Sequence, residues 1–98
     1  MPESPGRKDD DGKPDMLHHL SPLLPSLALR SVVRVLEFGA SRYGADNWRR
    51  VEPLRYRKAI LRHVTAALHG EATDPDSGEP HWAHAICCAL FLIELERG

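Results

Sequence analysis

Histidines and carboxylates crowd one stretch of this chain. Six histidines occur in 98 residues, and four of them, His63, His69, His81 and His84, share a short region with Glu71, Asp74, Asp76 and Glu79. Imidazole nitrogens with carboxylate oxygens make a donor set for a divalent metal ion. His81 and His84 stand three residues apart, so on a helix they share a face. Taken singly, each residue has a structural alternative, because a helix-face histidine is more often a hydrogen-bonded core residue and Asp74-Pro75-Asp76-Ser77-Gly78 is a common turn. Taken together, they favour metal binding, with oxygens from a connecting loop and imidazoles from flanking helices. The loop lacks the remaining ligands of an EF-hand. A Cys/His zinc pattern, a His-Glu-x-x-His pair, a phosphate loop and a Gly-x-Ser-x-Gly elbow are also missing from the sequence, which excludes the commonest recognisable enzyme classes.

A second group runs from Phe38 to Trp48. Tyr43, Asn47 and Trp48 place two aromatic faces and an amide around one turn, a set suited to stacking on a base and hydrogen-bonding its edge. The alternative is that Tyr43 and Trp48 close over a small core. Gly39, late in the preceding helix, would let another backbone approach closely. Arg57, Lys58 and Arg62 are positioned to reach phosphates or simply to solvate a helix, and Arg62 is the strongest of them because it adjoins His63.

These groups need elements to hold them, and the hydrophobic pattern supplies helices. Residues 1–15, rich in Pro, Gly and Asp, read as a flexible tail, followed by one domain over 16–98. Leu17, Leu20, Leu23 and Leu24, interrupted by Pro22 and Pro25, form a lead-in that cannot be a continuous helix. A first helix is expected from Ser26, a good N-cap, to about Tyr43, with Leu29, Val32, Val33, Leu36 and Ala40 at the amphipathic period. A second is expected from about Leu54 to His69, carrying Ile60, Val64 and Leu68, with Gly70 as its stop. Residues 71–80 read as a ten-residue loop built from turn residues, and a third helix should run from about His81 to Arg97. Its centre, Ala85 to Ile93, is apolar on every side. Such a helix must be surrounded, so a partner subunit is expected to complete the bundle. The fold class is therefore all-α.

The net charge of −1 argues against duplex nucleic acid as a partner. Its distribution is uneven: residues 1–15 carry −2, residues 30–62 carry +6 and residues 63–98 carry −5. A basic middle beside an acidic, histidine-bearing end suits a phosphate ester and a cation, although solvated helix faces also produce such asymmetry. Adjacent Cys87 and Cys88 cannot bridge each other on a helix and fit a reduced, cytoplasmic setting. The apolar run from Ala85 to Ile93 is nine residues long, far short of the roughly 20 that span a membrane. The first fifteen residues lack an apolar stretch, which predicts no secretory signal.

In order along the chain stand Gly12-Lys13-Pro14, Phe38-Gly39-Ala40, Tyr43-Gly44, Asn47-Trp48, Arg62-His63, Gly70-Glu71, Asp74-Pro75-Asp76-Ser77-Gly78, Pro80-His81 and His84-Ala85. This ordered set, covering about residues 12–96, resembles the phage and prophage family named for the N-terminal domain of dATP/dGTP diphosphohydrolase. The resemblance implies an all-helical fold related to the MazG-like nucleotide pyrophosphohydrolases. It also implies hydrolysis of a purine deoxynucleoside triphosphate to monophosphate and pyrophosphate with a divalent metal. Those enzymes carry a Glu-Glu-x-x-Glu helix followed by Glu-x-x-Asp; the first string does not occur here, and the second spacing is met at Glu71-Ala72-Thr73-Asp74. Relatives also tend to carry an Asn in the third helix, where this chain has Cys87-Cys88-Ala89. The expected ligands are accordingly His63, Glu71, Asp74 and His81, for Mg²⁺ or, with so much imidazole, Mn²⁺. Lys13 and Arg62 would meet the phosphates and Tyr43, Asn47 and Trp48 the nucleoside, while His84 or Asp76 would orient the attacking water. The rival expectations are a noncatalytic helical module that binds a nucleotide or a protein, and a structural dimer whose histidines only bond one another.

Overall fold

A computed structural model describes Pro22 and residues 26–97 of the chain. The tail, the leucines at 17, 20, 23 and 24, and Lys13 lie outside the described residues. Three α-helices, α1 (Leu27–Tyr43), α2 (Pro53–Leu68) and α3 (His81–Arg97), account for most of what is described, with a short 3₁₀ turn at Asn47–Arg50 between the first two. The architecture is all-α, and each helix begins and ends within about a residue of its expected bounds. Among the described residues no helix is long and apolar enough to cross a membrane.

The boundaries follow from local chemistry. Ser26 adopts extended backbone and its hydroxyl accepts the Leu29 N–H at 3.2 Å, satisfying a donor that the first turn of α1 would otherwise leave open. At the other end Gly44, at φ 97°, turns the chain away while its N–H bonds the Ala40 carbonyl. Pro53 opens α2, where its missing N–H costs nothing. A Schellman motif closes α2: Gly70, at φ 96°, donates to Ala67 O and Glu71 donates to Ala66 O.

Helix α3 is the central element, packing along α2, against α1 and against the 3₁₀ turn. Val32 and Val35 of α1 meet Ala83 and Cys87 of α3, with Phe91 packed alongside. The stripe that α1 buries is narrower than its apolar pattern, for Val33 and Leu36 stay partly exposed. A helix that leans on one neighbour covers one row of side chains rather than a broad face. Helix α3 likewise leaves Trp82, Ile86, Leu90 and Ile93 about half exposed.

Trp48 stacks on Phe91 with ring centroids 4.9 Å apart, and Tyr56 meets the same ring at 5.1 Å. Tyr56 also donates its hydroxyl to Trp48 O at 3.0 Å, so the 3₁₀ turn is tied to both α2 and α3. The Arg49 guanidinium lies 4.5 Å from the indole centroid.

Candidate metal and nucleotide site

The α2–α3 connection is built to return on itself. Thr73 bridges Pro80, Asp74 N–H donates to Glu79 O at 2.8 Å, and Gly78, at φ 74°, donates to Asp74 O at 2.7 Å. Asp74 completes an Asx turn: its Oδ1 accepts the N–H groups of Asp76 at 2.8 Å and Ser77 at 3.2 Å. Arg34 of α1 pairs with Glu79 at 3.0 Å and fastens the loop to the first helix. The loop thereby sets Glu71 and Asp74 against the first turn of α3 and the middle of α2.

Two buried imidazoles meet there. His63 and His81, 8% and 4% exposed, face each other through their Nδ1 atoms at 2.8 Å. The outer nitrogen of His81, Nε2, lies 2.7 Å from Glu71 Oε1. A carboxylate can only accept, so His81 carries its proton on Nε2 and, when neutral, presents a bare lone pair at Nδ1. Asp74 Oδ2 stands 4.0 Å from His63 Nδ1. One donor atom from each of His63, Asp74 and His81 falls within 4.8 Å of the others, a cluster able to hold a metal ion.

Electrostatics support a neutral histidine beside an anionic carboxylate. Burial, followed by the neighbouring His84 and His81, lowers the pKa of His63 to about 4. Burial also depresses His84, against the opposing pull of Asp74. For Asp74 burial pushes upward, but the Ser77 and Asp76 N–H bonds with the two histidines outweigh it, and its carboxyl sits below the usual value.

His84 joins this cluster to a cleft. Its ring stacks on that of His63 at 4.6 Å and 12°. It also lines a cleft of about 760 Å³ between α1, the 3₁₀ turn, α2 and α3, whose walls include Tyr43, Asn47, Trp48, Arg55 and Arg62. That volume lies within the range of small-molecule sites, about 300–1,000 Å³. Tyr43 is 63% exposed. Gly39 lines the same cleft, and a Cβ built there would meet nothing within 4 Å, so the missing side chain widens the cleft instead of admitting another backbone.

The structure thus brings together His63, Asp74, His81 and Glu71, with His84 adjoining, and collects Tyr43, Asn47, Trp48 and Arg62 around one cleft. Glu71 meets the outer nitrogen of His81, not the edge that faces His63. The Asp76 side chain is exposed, and its backbone serves the Asx turn. Trp48 has Phe91 and Arg49 against its ring, which leaves Tyr43 as the more open aromatic surface. Arg57 pairs with Glu96, whereas Arg55 is the residue that joins Arg62 on the cleft wall. Ser77 matters more than its place in a turn suggests: its Oγ accepts the Glu79 N–H at 3.1 Å and lies 2.6 Å from His84 Nε2. The seven-residue interval between Arg55 and Arg62 was a readable sign of a shared face. The Ser77 contact had no comparable sign.

Comparison with known proteins bears on what this site serves. The profile of the family described as dATP/dGTP diphosphohydrolase, N-terminal, matches residues 3–98. A curated dATP/dGTP diphosphohydrolase of Salmonella phage PMBT28 is 31% identical over 90 residues, which take in 92% of this chain and 29% of the phage protein. The chain therefore spans less than a third of the length of that relative. No solved structure matches. A family match that runs through the helices, the cleft and the histidine cluster alike shows that this chain belongs to the dATP/dGTP diphosphohydrolase N-terminal family.

Proposed function

We propose that the domain binds a purine deoxynucleoside triphosphate in the cleft and hydrolyses it to monophosphate and pyrophosphate with a divalent metal ion. The observation that carries this reading is the continuity of the site: the cleft wall that holds Tyr43, Asn47 and Arg62 also includes His84, which stacks on His63 of the metal-ligand cluster. The donor set suits an ion, because a histidine kept neutral and a carboxylate kept ionised need no costly proton loss to become ligands. His63, His81 and Asp74 would hold the ion, which supplies Lewis-acid polarisation of phosphoryl oxygens. Tyr43 offers its ring to the base and Asn47 its amide to the base edge. Arg55 and Arg62 offset phosphate charge with fixed donor forks, and Lys13 remains a further candidate for that role. Water adds to the α-phosphorus as the bond to the bridging oxygen breaks, and pyrophosphate leaves. His84, with Nε2 engaged by Ser77, has Nδ1 left to orient that water, and Asp76 is the alternative.

The half-exposed apolar residues of α3, with Leu54, Leu61 and Leu68 at seven-residue spacing on α2, support a homodimer. The buried, free Cys87 and Cys88 suit a reducing, cytoplasmic setting.

A second reading has its own observation. Because the chain corresponds to 29% of its phage relative, the domain could bind the nucleotide while chemistry is performed elsewhere. Incubation with dATP or dGTP, followed by separate measurement of bound nucleotide and of product, distinguishes the two. Arg62→Ala should weaken nucleotide binding, and Asp74→Asn should remove turnover while the chain stays folded. Equal turnover by Asp74→Asn and wild type would take Asp74 out of the mechanism. Tight binding with no product across several metals would establish the binding module.

A further inference from the structure

The histidine cluster has an asymmetry that carries a more specific conclusion about which ions it accepts. His81 is gripped from outside by Glu71, at 2.7 Å from Nε2, and this fixes both the ring orientation and the proton on that nitrogen. Its Nδ1 is then a lone pair aimed at His63 Nδ1, 2.8 Å away. A hydrogen bond from His63 to His81 satisfies those two atoms, but it leaves Asp74 Oδ2 at 4.0 Å from the same His63 nitrogen, beyond hydrogen-bond reach. Asp74 cannot drift away, because its other oxygen is held by the Asp76 and Ser77 N–H groups. Three donor atoms from α2, the loop and α3 therefore lie within 4.8 Å of one another. Two cis ligands of an octahedral ion at ~2.1 Å lie about 3 Å apart, near the 2.8 Å between the two nitrogens, while Asp74 Oδ2, at 4.0 Å from His63 Nδ1, has to close by about 1 Å on binding.

We propose that His63 Nδ1, His81 Nδ1 and Asp74 Oδ2 form a binding site for a transition-metal ion that discriminates against Mg²⁺, with Glu71 as a positioning residue for His81 and not a ligand. Two imidazole nitrogens in a three-donor set are poor partners for Mg²⁺, which prefers oxygen and keeps its waters. They suit Mn²⁺, Co²⁺, Ni²⁺ or Zn²⁺. Glu71 completes a carboxylate–histidine–metal arrangement, which orients the ring and raises its basicity. The inference rests on the hydrolytic reading only for the ion's role in turnover; the binding itself can be measured without nucleotide.

The test is calorimetric titration of the chelator-treated full chain with Co²⁺, repeated in a large excess of Mg²⁺, beside thermal melts with and without Co²⁺. The expected result is a single saturable Co²⁺ site that raises the melting temperature and that Mg²⁺ does not displace. His81→Gln and Asp74→Asn should abolish it, Glu71→Gln should weaken it about 10- to 100-fold, and His69→Gln should leave it unchanged, since His69 bonds the Thr65 carbonyl away from the cluster. Circular-dichroism melts in chelator show which variants are folded; should His81→Gln fail to fold, Asp74→Asn at the edge of the cluster carries the same test. Absent Co²⁺ binding, displacement by the excess Mg²⁺, or undiminished binding in a folded His81→Gln or Asp74→Asn overturns the site. Wild-type affinity in Glu71→Gln overturns the positioning role. Co²⁺ binding without nucleotide turnover supports the site and removes the reaction. Turnover in Mg²⁺ by a chain that binds no Co²⁺ keeps the reaction and overturns the site.

Discussion

His63 is where burial and chemistry conflict most directly. Its imidazole is 8% exposed and its pKa falls to about 4, against about 6.5 for an ordinary histidine. In the unfolded chain the ring takes a proton as pH drops through about 6.5, while in the folded chain it resists until about pH 4. Between those values the unfolded state binds more protons, so stability must fall with pH and level off below the folded value. His84, depressed in the same direction, adds to the effect. For the chain in chelator, the urea midpoint should drop between pH 7 and pH 4.5, by the equivalent of about 2 kcal/mol from His63 alone. His63→Gln should flatten that slope, and a midpoint that ignores pH in the wild type would contradict the burial argument. Ser77 makes a second residue-scale case, since its hydroxyl serves both Glu79 and His84. Ser77→Ala should lower unfolding free energy by about 1–2 kcal/mol, read by urea denaturation, with partial recovery in Ser77→Thr. No loss in Ser77→Ala would mean that the two contacts carry no net stability.

At the scale of elements, α3 holds the site together through Phe91. That ring is stacked by Trp48 and met by Tyr56, so one side chain joins the 3₁₀ turn, α2 and α3 on the cleft wall. Phe91→Ala should cost about 3 kcal/mol in denaturant unfolding and weaken nucleotide binding together. An unchanged affinity in a destabilised chain would show that the turn keeps its position without Phe91. The helices themselves were legible in the sequence because their signals are local: Ser26 as a cap, Gly44 and Gly70 as stops, Pro53 as an opener, and apolar residues three and four apart. The convergence of His63, Asp74 and His81 was partly legible, since a loop of turn residues between two helices has to fold back near both. The roles within the clusters were not. Whether Arg55 or Arg57 faces the cleft depends on how α2 is rotated against α3, and whether Trp48 presents its ring to a ligand or to Phe91 depends on how the 3₁₀ turn docks. Glu71 likewise looks like a ligand in sequence, and only the loop's path sets it on the far nitrogen of His81.

At the scale of the whole molecule, the thin covering of α3 and the cleft have a common origin. The two other described helices cover only part of the apolar centre of α3, so among the described residues one side of α3 is open outward while the other lines the cleft through His84, Cys88 and Phe91. If a second copy covers the outward side, Ile86→Asp should convert a dimer to a monomer in sedimentation while leaving the metal cluster intact. A wild-type chain that sediments as a monomer at high concentration would remove the dimer. On the proposed function, cleft and histidine cluster act as one hydrolytic site. Pyrophosphate release by the 98-residue chain, measured with dATP and dGTP in Mg²⁺, in Mn²⁺ and in chelator, is the decisive assay. Monophosphate and pyrophosphate are expected in equal amounts, dependent on the metal and abolished by chelator. A folded chain that binds nucleotide and releases no pyrophosphate with any metal would overturn the hydrolytic reading.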